Sequence, residues 1–190
     1  MDAFQSALDF VKQNEKGFTD NPSDPGGATN YGISLRFLRE IPSDRLRKYG
    51  FFTDAEALDV HDIRELSTSQ VENIYRDEFW EPANISALAT LSWLNLTNYL
   101  MDMCVHHGVH QAIKILQRAI WAYYLKREWG GLLDDGIIGV KVIDELQRVD
   151  EHMFLNLLAC ERAGFCRLVV AVNPREKEFL NGWINRCYRI

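Results

Sequence analysis

The 190-residue sequence lacks the features that mark zinc-binding, membrane-spanning or secreted proteins. Its four cysteines contain no Cys-x-x-Cys pair, which argues against a zinc site. We expect buried free thiols, with a disulfide as the alternative in an oxidising compartment. No apolar run reaches the roughly 20 residues that a membrane-spanning helix needs. Residues 1–5 have neither the basic nor the apolar region of a secretory signal, so we expect synthesis in the cytoplasm.

The sequence also has fewer basic than acidic residues. The chain has 21 Lys and Arg against 27 Asp and Glu, and its net charge is −6. Tight non-specific binding to nucleic acid depends on clustered Lys and Arg that neutralise phosphates, so this balance disfavours a nucleic-acid partner. Hydrophobic residues make up 47% and charged residues 25%, which is typical of a globular protein. The length suits one compact domain or two small lobes that share a core.

Apolar residues recur at helical spacing through most of the chain. Residues 2–14 place four apolar side chains on one face of a predicted first helix. A wide apolar stripe over residues 94–126 predicts the longest, central helix, which Gly108 would interrupt. Three more helices are predicted over residues 139–148, 151–172 and 174–186.

Polar motifs indicate where some helices begin. Thr53 with Glu56, and Ser67 with Gln70, have the spacing of a capping box. Asn173, followed by a proline, has the pattern of an N-cap before the first residue of the final helix.

The helical pattern breaks between residues 17 and 32, where four glycines and two prolines predict a structured loop or a small β-hairpin. Glu15 ends the first helix just before this loop, and Asp24 follows within it. Glycosidic cleavage needs one carboxyl group to protonate the leaving oxygen and a second to activate water or stabilise positive charge. The negative end of the helix dipole disfavours ionisation at Glu15, which suits an acid catalyst.

The residues alone also allow a structural interpretation of these two carboxylates. A Glu near a helix end is usually a solvated charge, and an Asp before Pro-Gly-Gly usually caps a turn.

The same stretch resembles the signature of glycoside hydrolase family 108, the muramidases. The family motif runs approximately Glu-Gly-Gly-Tyr, then Asp-Pro-x-Asp-Pro-Gly-Gly, then Thr-x-x-Gly-Ile, and it is matched here by residues 15–18, 21–27 and 29–33. Residues 74–80 resemble a further element, Tyr-Arg-x-x-Tyr/Phe-Trp. The second half resembles the helical peptidoglycan-binding-like domain that accompanies the family, and the matching segments are residues 112–119, 134–139 and 179–186.

This resemblance implies a mainly α, lysozyme-like fold of two lobes, with a small irregular or β-hairpin region after the first helix. It implies a catalytic domain over residues 1–92 and a peptidoglycan-binding-like domain over residues 93–190, packed as one body. The implied reaction cleaves the β-1,4 bond between N-acetylmuramic acid and N-acetylglucosamine. No cofactor or metal is expected.

The implied partners are the glycan strands and stem peptides of peptidoglycan, with no nucleic acid and no membrane insertion, and the chain is expected to be a monomer. Similar proteins include phage endolysins and muramidases encoded beside secreted toxins. We therefore expect action in the periplasm or cell wall, after holin-like or unconventional delivery, for phage release or for toxin secretion.

The resemblance also implies roles for individual residues. Glu15 corresponds to the acid, Asp24 is the second carboxylate, and Thr29 or Asn30 would position the water. The implied substrate contacts are Asn30, Tyr31, Tyr75, Asp102 and His106. Tyr31 is the first choice for a sugar platform because it lies in the motif, whereas we interpret Trp183 as structural.

Three positions depart from the family pattern. Lys16 replaces a glycine, and a cation beside Glu15 would work against an acid catalyst. Asn21 replaces an aspartate, which leaves Asp24 as the better second carboxylate, and His106 stands where the family usually has Asn. Two alternatives stay open: a weakly active or inactive peptidoglycan-binding module, and a lytic transglycosylase, for which one Glu suffices.

Overall fold

The computed structural model describes residues 2–15, 17–20, 27–124 and 134–190, and helices dominate these residues. In chain order, the α-helices are α1 Ala3–Asn14, α2 Leu35–Glu40, α3 Ser43–Lys48, α4 Val60–Arg64, α5 Thr68–Tyr75, α6 Ile85–Leu88, α7 Leu94–His107, α8 Val109–Tyr123, α9 Val140–Leu146, α10 Glu151–Val172 and α11 Leu180–Cys187. Short 3-10 helices cover Ala55–Ala57, Ala89–Leu91 and Pro174–Phe179, and a π-helical turn covers Arg76–Trp80. The predicted mainly α fold is confirmed.

A small hairpin follows the first helix, as predicted. Strand β1 (Thr29–Asn30) pairs antiparallel with β2 (Ile33–Ser34). The two residues at its tip, Tyr31 and Gly32, both have positive φ angles, of 51° and 77°. Two residues with positive φ are typical of the type I′ turn, whose twist matches that of the strands it joins.

One continuous hydrophobic core joins the two halves of the chain. The apolar face of α1 is buried as predicted, and α1 packs along α7. Helix α8 packs against both α7 and α10. A smaller buried cluster of Ala163, Cys166 and Cys187 joins α10 to α11. This cluster packs the C-terminal helix against α10. None of the described helices has the length and hydropathy needed to cross a membrane.

Gly108 divides the central helical segment. Its φ of 79° and ψ of 151° end α7 at His107 and start α8 at Val109. Such backbone angles lie outside the helical region and favour glycine. The helical segment predicted over residues 94–126 is therefore two helices, α7 and α8, and the interruption foreseen at Gly108 is confirmed. The break leaves His106 and His107 at the C-terminal end of α7.

The capping predictions have mixed outcomes. The capping box of Ser67 and Gln70 is confirmed at the start of α5. The predicted box at Thr53 is wrong, because the helix that follows is the short 3-10 helix Ala55–Ala57, whose N-cap is Asp54 and which has no side-chain cap. A capping box that was not predicted lies at the start of α4, where Asp59 accepts from the His61 backbone N–H at 2.7 Å.

The final helical segment differs from its prediction in one respect. It starts after Asn173 as expected, but residues Pro174–Phe179 form a 3-10 helix before α11 begins at Leu180.

Three of the four cysteines are buried, as predicted, and Cys160 is exposed. The sulfur atoms of Cys166 and Cys187 lie 3.8 Å apart as free thiols.

Candidate active site

Glu15 lies where α1 ends. Its backbone is extended (φ −89°, ψ 135°), and its N–H still donates to the carbonyl of Val11 at 3.0 Å. The helix therefore stops at this residue, as predicted, and the chain turns away. The Glu15 side chain is 16% exposed, so its carboxyl group is largely shielded but open to solvent.

The hairpin tip packs directly against Glu15. The hydroxyl of Tyr75 donates to the carbonyl of Tyr31 at 2.5 Å, which holds the tip in place. A Cβ atom added at Gly32 would lie 2.7 Å from the Tyr75 hydroxyl and 2.9 Å from two side-chain carbons of Glu15. Burial, reinforced by the negative charge of Glu15, raises the pKa of Tyr75. Tyr75 therefore stays a neutral hydrogen-bond donor beneath the tip.

Gly32→Ala should lower the free energy of unfolding. A non-glycine residue at this positive φ costs about 1–2 kcal/mol, and the contacts of the new methyl group with Tyr75 and Glu15 add to that cost. Urea unfolding measures the difference. The control is Gly164→Ala in α10, where nothing lies within 4 Å and alanine should stabilise the helix by up to about 1 kcal/mol. Equal changes in the free energy of unfolding for the two substitutions would show that the hairpin tip does not require glycine.

A guanidinium group from the other end of the chain contacts Glu15. The Nη2 atom of Arg186, on α11, donates to Glu15 Oε1 at 2.5 Å and to Asp102 Oδ1 at 2.7 Å. Its Nε atom lies 3.1 Å from both carboxylate oxygens of Asp102. Arg186 was assigned no role from the sequence. No local pattern could have indicated it, because it lies 171 residues from Glu15.

Asp102 is the buried centre of this charged group. Besides Arg186, it binds Arg162 Nη2 at 2.8 Å and the side-chain amide of Asn14 at 3.1 Å. Burial alone would raise the pKa of Asp102, but the hydrogen bond from Arg186 and the charge of Arg162 hold it below its usual range. Asp102 is 1% exposed, so the structure gives this predicted substrate contact a charge-pairing role inside the protein.

His106 and His107 are both neutral. Burial and the positive charges of Arg186 and Arg162 lower the pKa of His106 to about 3, and burial lowers that of His107 to about 4. Arg162 lies 3.3 Å from His106 Nδ1 and 3.2 Å from His107 Nε2. Because an arginine can only donate, both nitrogens accept. In His106 the proton is therefore on Nε2.

A cleft of about 590 Å³ lies beside this group, with one wall from the hairpin, α2 and the π-helical turn, and the other from the end of α7, α10 and α11. Its lining residues are Gly32, Ser34, Arg36, Phe37, Glu40, Phe79, Val105, His106, His107, Gly108, Phe165, Cys166, Val169 and Trp183. Gly32 lines the cleft and also contacts Glu15, so the carboxyl group lies next to the cleft.

Trp183 is part of the cleft wall. Its ring packs edge-on against His106, with centroids 5.7 Å apart, and stacks on Phe179 at 6.1 Å. The sequence interpretation of Trp183 as structural is therefore incomplete, because the same side chain also lines the cleft. The signal that could have indicated this was the placement of an aromatic residue within the family-like segment 179–186.

The other predicted residues of the hairpin are placed as follows. The hydroxyl of Thr29 donates to the carbonyl of Gly27 at 3.3 Å. The amide of Asn30 is buried and donates to the carbonyls of Ile63 and Arg64, which joins the hairpin to the end of α4. The structure thus gives Asn30 a structural contact that the sequence did not indicate.

Tyr31 lies at the hairpin tip and is 37% exposed. Its use as a sugar platform stays a prediction, and so do the catalytic roles of Thr29 and Asn30. Asp24, Asn21 and Lys16 lie outside the described residues.

Four carboxylate and guanidinium groups thus meet beside the cleft. Glu15 comes from the end of α1, Asp102 from α7, Arg162 from α10 and Arg186 from α11. The Glu15 side chain packs against Gly32, which lines the cleft. Its partly exposed carboxyl group, held by Arg186, can take part in proton transfer.

Two known protein families match the chain. The model of the family described as Glycosyl hydrolase 108 matches residues 8–108, and that of the Predicted Peptidoglycan domain matches residues 111–188. The two models meet near Gly108, whereas the predicted division at residue 92 stays a prediction. Comparison with curated proteins gives no match.

A solved structure described as "Structure of Brucella abortus SagA" is similar in fold. It is 24% identical in sequence, its TM-score is 0.69, and the alignment covers 98% of this chain and 90% of that chain. This likeness supports the fold. Since the first family model covers more than half of the sequence, the chain belongs to glycosyl hydrolase family 108 and carries a predicted peptidoglycan domain in its second half.

Proposed function

We propose that this peptidoglycan glycoside hydrolase is an N-acetylmuramidase, which hydrolyses the β-1,4 bond between N-acetylmuramic acid and N-acetylglucosamine with Glu15 as the acid. Family membership and the second matched region support action on the glycan of peptidoglycan. The observation that carries the assignment of Glu15 is its location. Its side chain, 16% exposed, lies beside a cleft that residues of both matched regions line.

The proposed reaction has two proton transfers and adds one water molecule. Glu15 donates its proton to the glycosidic oxygen, the bond from C1 of the muramic acid residue to that oxygen breaks, and its electron pair goes to the oxygen. Water attacks C1 and gives its proton to the second carboxylate, for which we propose Asp24, with Thr29 or Asn30 positioning the water. Glu15 is left as a carboxylate beside Arg186.

The shape and chemistry of the cleft suit a glycan strand. The rings of Phe37, Phe79, Phe165 and Trp183 form part of its lining, and aromatic rings pack well against the apolar faces of sugars. Arg36 and Glu40 add charged groups to the same lining. His106 is the predicted substrate contact with the strongest structural support, because it lines the cleft and its Nε2–H is a donor.

In this proposal Tyr75 and Asp102 do not contact the substrate but hold residues that do, or that contact Glu15. Tyr75 has no exposed surface and supports the hairpin tip, where Tyr31 is the exposed candidate for a sugar platform. Asp102 holds the arginine that contacts Glu15.

The products of the reaction test the proposal. Purified peptidoglycan is digested with the full chain, and the released fragments are analysed by mass spectrometry with and without borohydride reduction. We expect fragments that end in reducing N-acetylmuramic acid. Anhydro-muramic ends would indicate a lytic transglycosylase, and reducing N-acetylglucosamine ends would indicate cleavage of the other bond. Binding to the insoluble polymer without release of fragments would indicate a binding module.

We further propose that the chain acts as a monomer in the periplasm or cell wall, where its polymer lies, and that it opens the wall for toxin secretion or phage release. This part of the proposal is supported by the resemblance to endolysins and to muramidases encoded beside toxins.

A further inference from the structure

The contact between Arg186 and Glu15 joins the two matched regions at the cleft. Glu15 lies in the region of the glycosyl hydrolase model, and Arg186 lies in the region of the peptidoglycan-domain model. One nitrogen, Nη2, donates to both Glu15 and Asp102, at 2.5 and 2.7 Å. Because the guanidinium is planar and rigid, these two bonds together with those of Nε restrict where the Glu15 carboxyl group can lie.

Asp102 is itself fixed, so it can serve as an anchor for Arg186. It is buried, and its second carboxylate oxygen lies 2.8 Å from Arg162, which is also fully buried. Asn14 donates to Asp102 at 3.1 Å, so the residue next to Glu15 is tied to the same group. The anchor therefore has three protein donors from three different helices.

Contacts at the end of α11 fix the position of Arg186 next to Asp102. The next residue, Cys187, is buried, and its carbonyl accepts from the hydroxyl of Tyr99 on α7 at 2.6 Å. Cys187 also packs against Cys166 on α10. Arg186 therefore lies on a helix end that contacts both neighbouring helices, and its side chain is only 15% exposed.

We propose that Arg186 is the positioning residue for Glu15, so that the peptidoglycan-domain region completes the active site in addition to any contact it makes with the wall. The proposal rests on the proposed role of Glu15 as the acid. Arg186 keeps all its protons throughout. Its role is to hold the carboxyl group beside the cleft, which is separate from the effect of its charge on the pKa of a neighbouring acid.

The test compares Arg186→Met and Arg186→Lys with the control Arg189→Met. Arg189 is a nearby arginine that is exposed and contacts Asn14 at 3.3 Å rather than Glu15. We expect Arg186→Met to lower kcat on the order of 10²-fold, since loss of one preorganised donor or a shift of about 1 Å has an effect of this size. Binding to insoluble peptidoglycan should stay within about 2-fold, because Arg186 acts on Glu15 rather than on the polymer.

The conservative variant separates positioning from general packing. Arg186→Lys keeps the charge but lacks the planar fork, so its kcat should lie between those of the wild type and Arg186→Met. Arg189→Met should keep the wild-type rate. Arg186→Met should fold, because Asp102 retains Arg162, and urea unfolding checks this. If it does not fold, Arg186→Gln replaces it, since an amide can still donate to Asp102.

A folded neutral variant with kcat within about 3-fold of the wild type would overturn the proposal, as would a lysine variant no better than the neutral one. Glu15→Gln in the same assay distinguishes failure of the proposed role of Arg186 from failure of the assignment of Glu15 as the acid. If Glu15→Gln is inactive and the neutral Arg186 variant is fully active, only the role of Arg186 fails. If Glu15→Gln is itself fully active, the assignment of the acid fails, and the role of Arg186 fails with it.

Discussion

Glu15→Gln should lower the rate of peptidoglycan cleavage on the order of 10³-fold, within the range that a positioned general acid contributes. The amide has nearly the shape of the carboxyl group but cannot release a proton to the leaving oxygen. The fold should be preserved, because the amide oxygen can still accept from Arg186 and because Arg186 keeps its bonds to Asp102. We expect the free energy of unfolding to change by less than about 1 kcal/mol, since only one partner of a partly exposed pair is lost.

The measurement is the release of reducing ends from purified peptidoglycan, with urea unfolding alongside it. Glu65→Gln is the matched control, because Glu65 is also the residue at which a helix ends, α4, but is exposed. The control should retain the wild-type rate. Cleavage by Glu15→Gln at a rate near that of the wild type would show that another group protonates the leaving oxygen.

Arg162→Met is expected to have the largest effect on stability. Arg162 is fully buried, pairs with Asp102, and contacts both His106 and His107. Its guanidinium also lies 5.1 Å from the centre of the Tyr99 ring. Breaking a buried ion pair by removing one partner costs about 3–5 kcal/mol, because the remaining charge stays buried. Because Asp102 keeps its contacts with Arg186, the decrease in the free energy of unfolding should be toward the lower end of that range.

Urea or thermal unfolding measures this loss. The control is Arg118→Met on α8. It makes the same substitution in a more exposed ion pair, in which Arg118 lies 2.7 Å from Asp134. Exposed pairs contribute about 0–1 kcal/mol, so the control should change stability little. If both variants lowered the free energy of unfolding by the same small amount, the buried pair of Arg162 and Asp102 would not be a major source of stability.

Several features of the fold could be predicted because they depend on residues close together in the chain. Helix α10 was predicted over residues 151–172 and has those bounds, since its apolar spacing and its N-terminal residues are local signals. The capping box at Ser67 and the end of α1 at Glu15 are local in the same sense. The hairpin could also be predicted, because the glycines and prolines of residues 17–32 favour a turn and act within a few residues.

Other features could not be predicted, because a local pattern does not contain their partners. The spacing over residues 94–126 is the same whether or not Gly108 takes a positive φ, so periodicity did not decide between one helix and two. The amide of Asn30 is used by two carbonyl groups more than 30 residues away. Trp183 was expected in the interior, but the packing of α11 against α7 and α10 also places it beside the cleft.

Glu15 shows the same division at the active site. Its place at the end of the first helix and in a family motif could be predicted from neighbouring residues. Its electrostatic surroundings could not, because these depend on Arg186, 171 residues further along, and on Asp102 and Arg162 from two other helices. Helix ends follow from hydrogen bonds between near neighbours, whereas charge pairing between distant residues follows from how the helices pack.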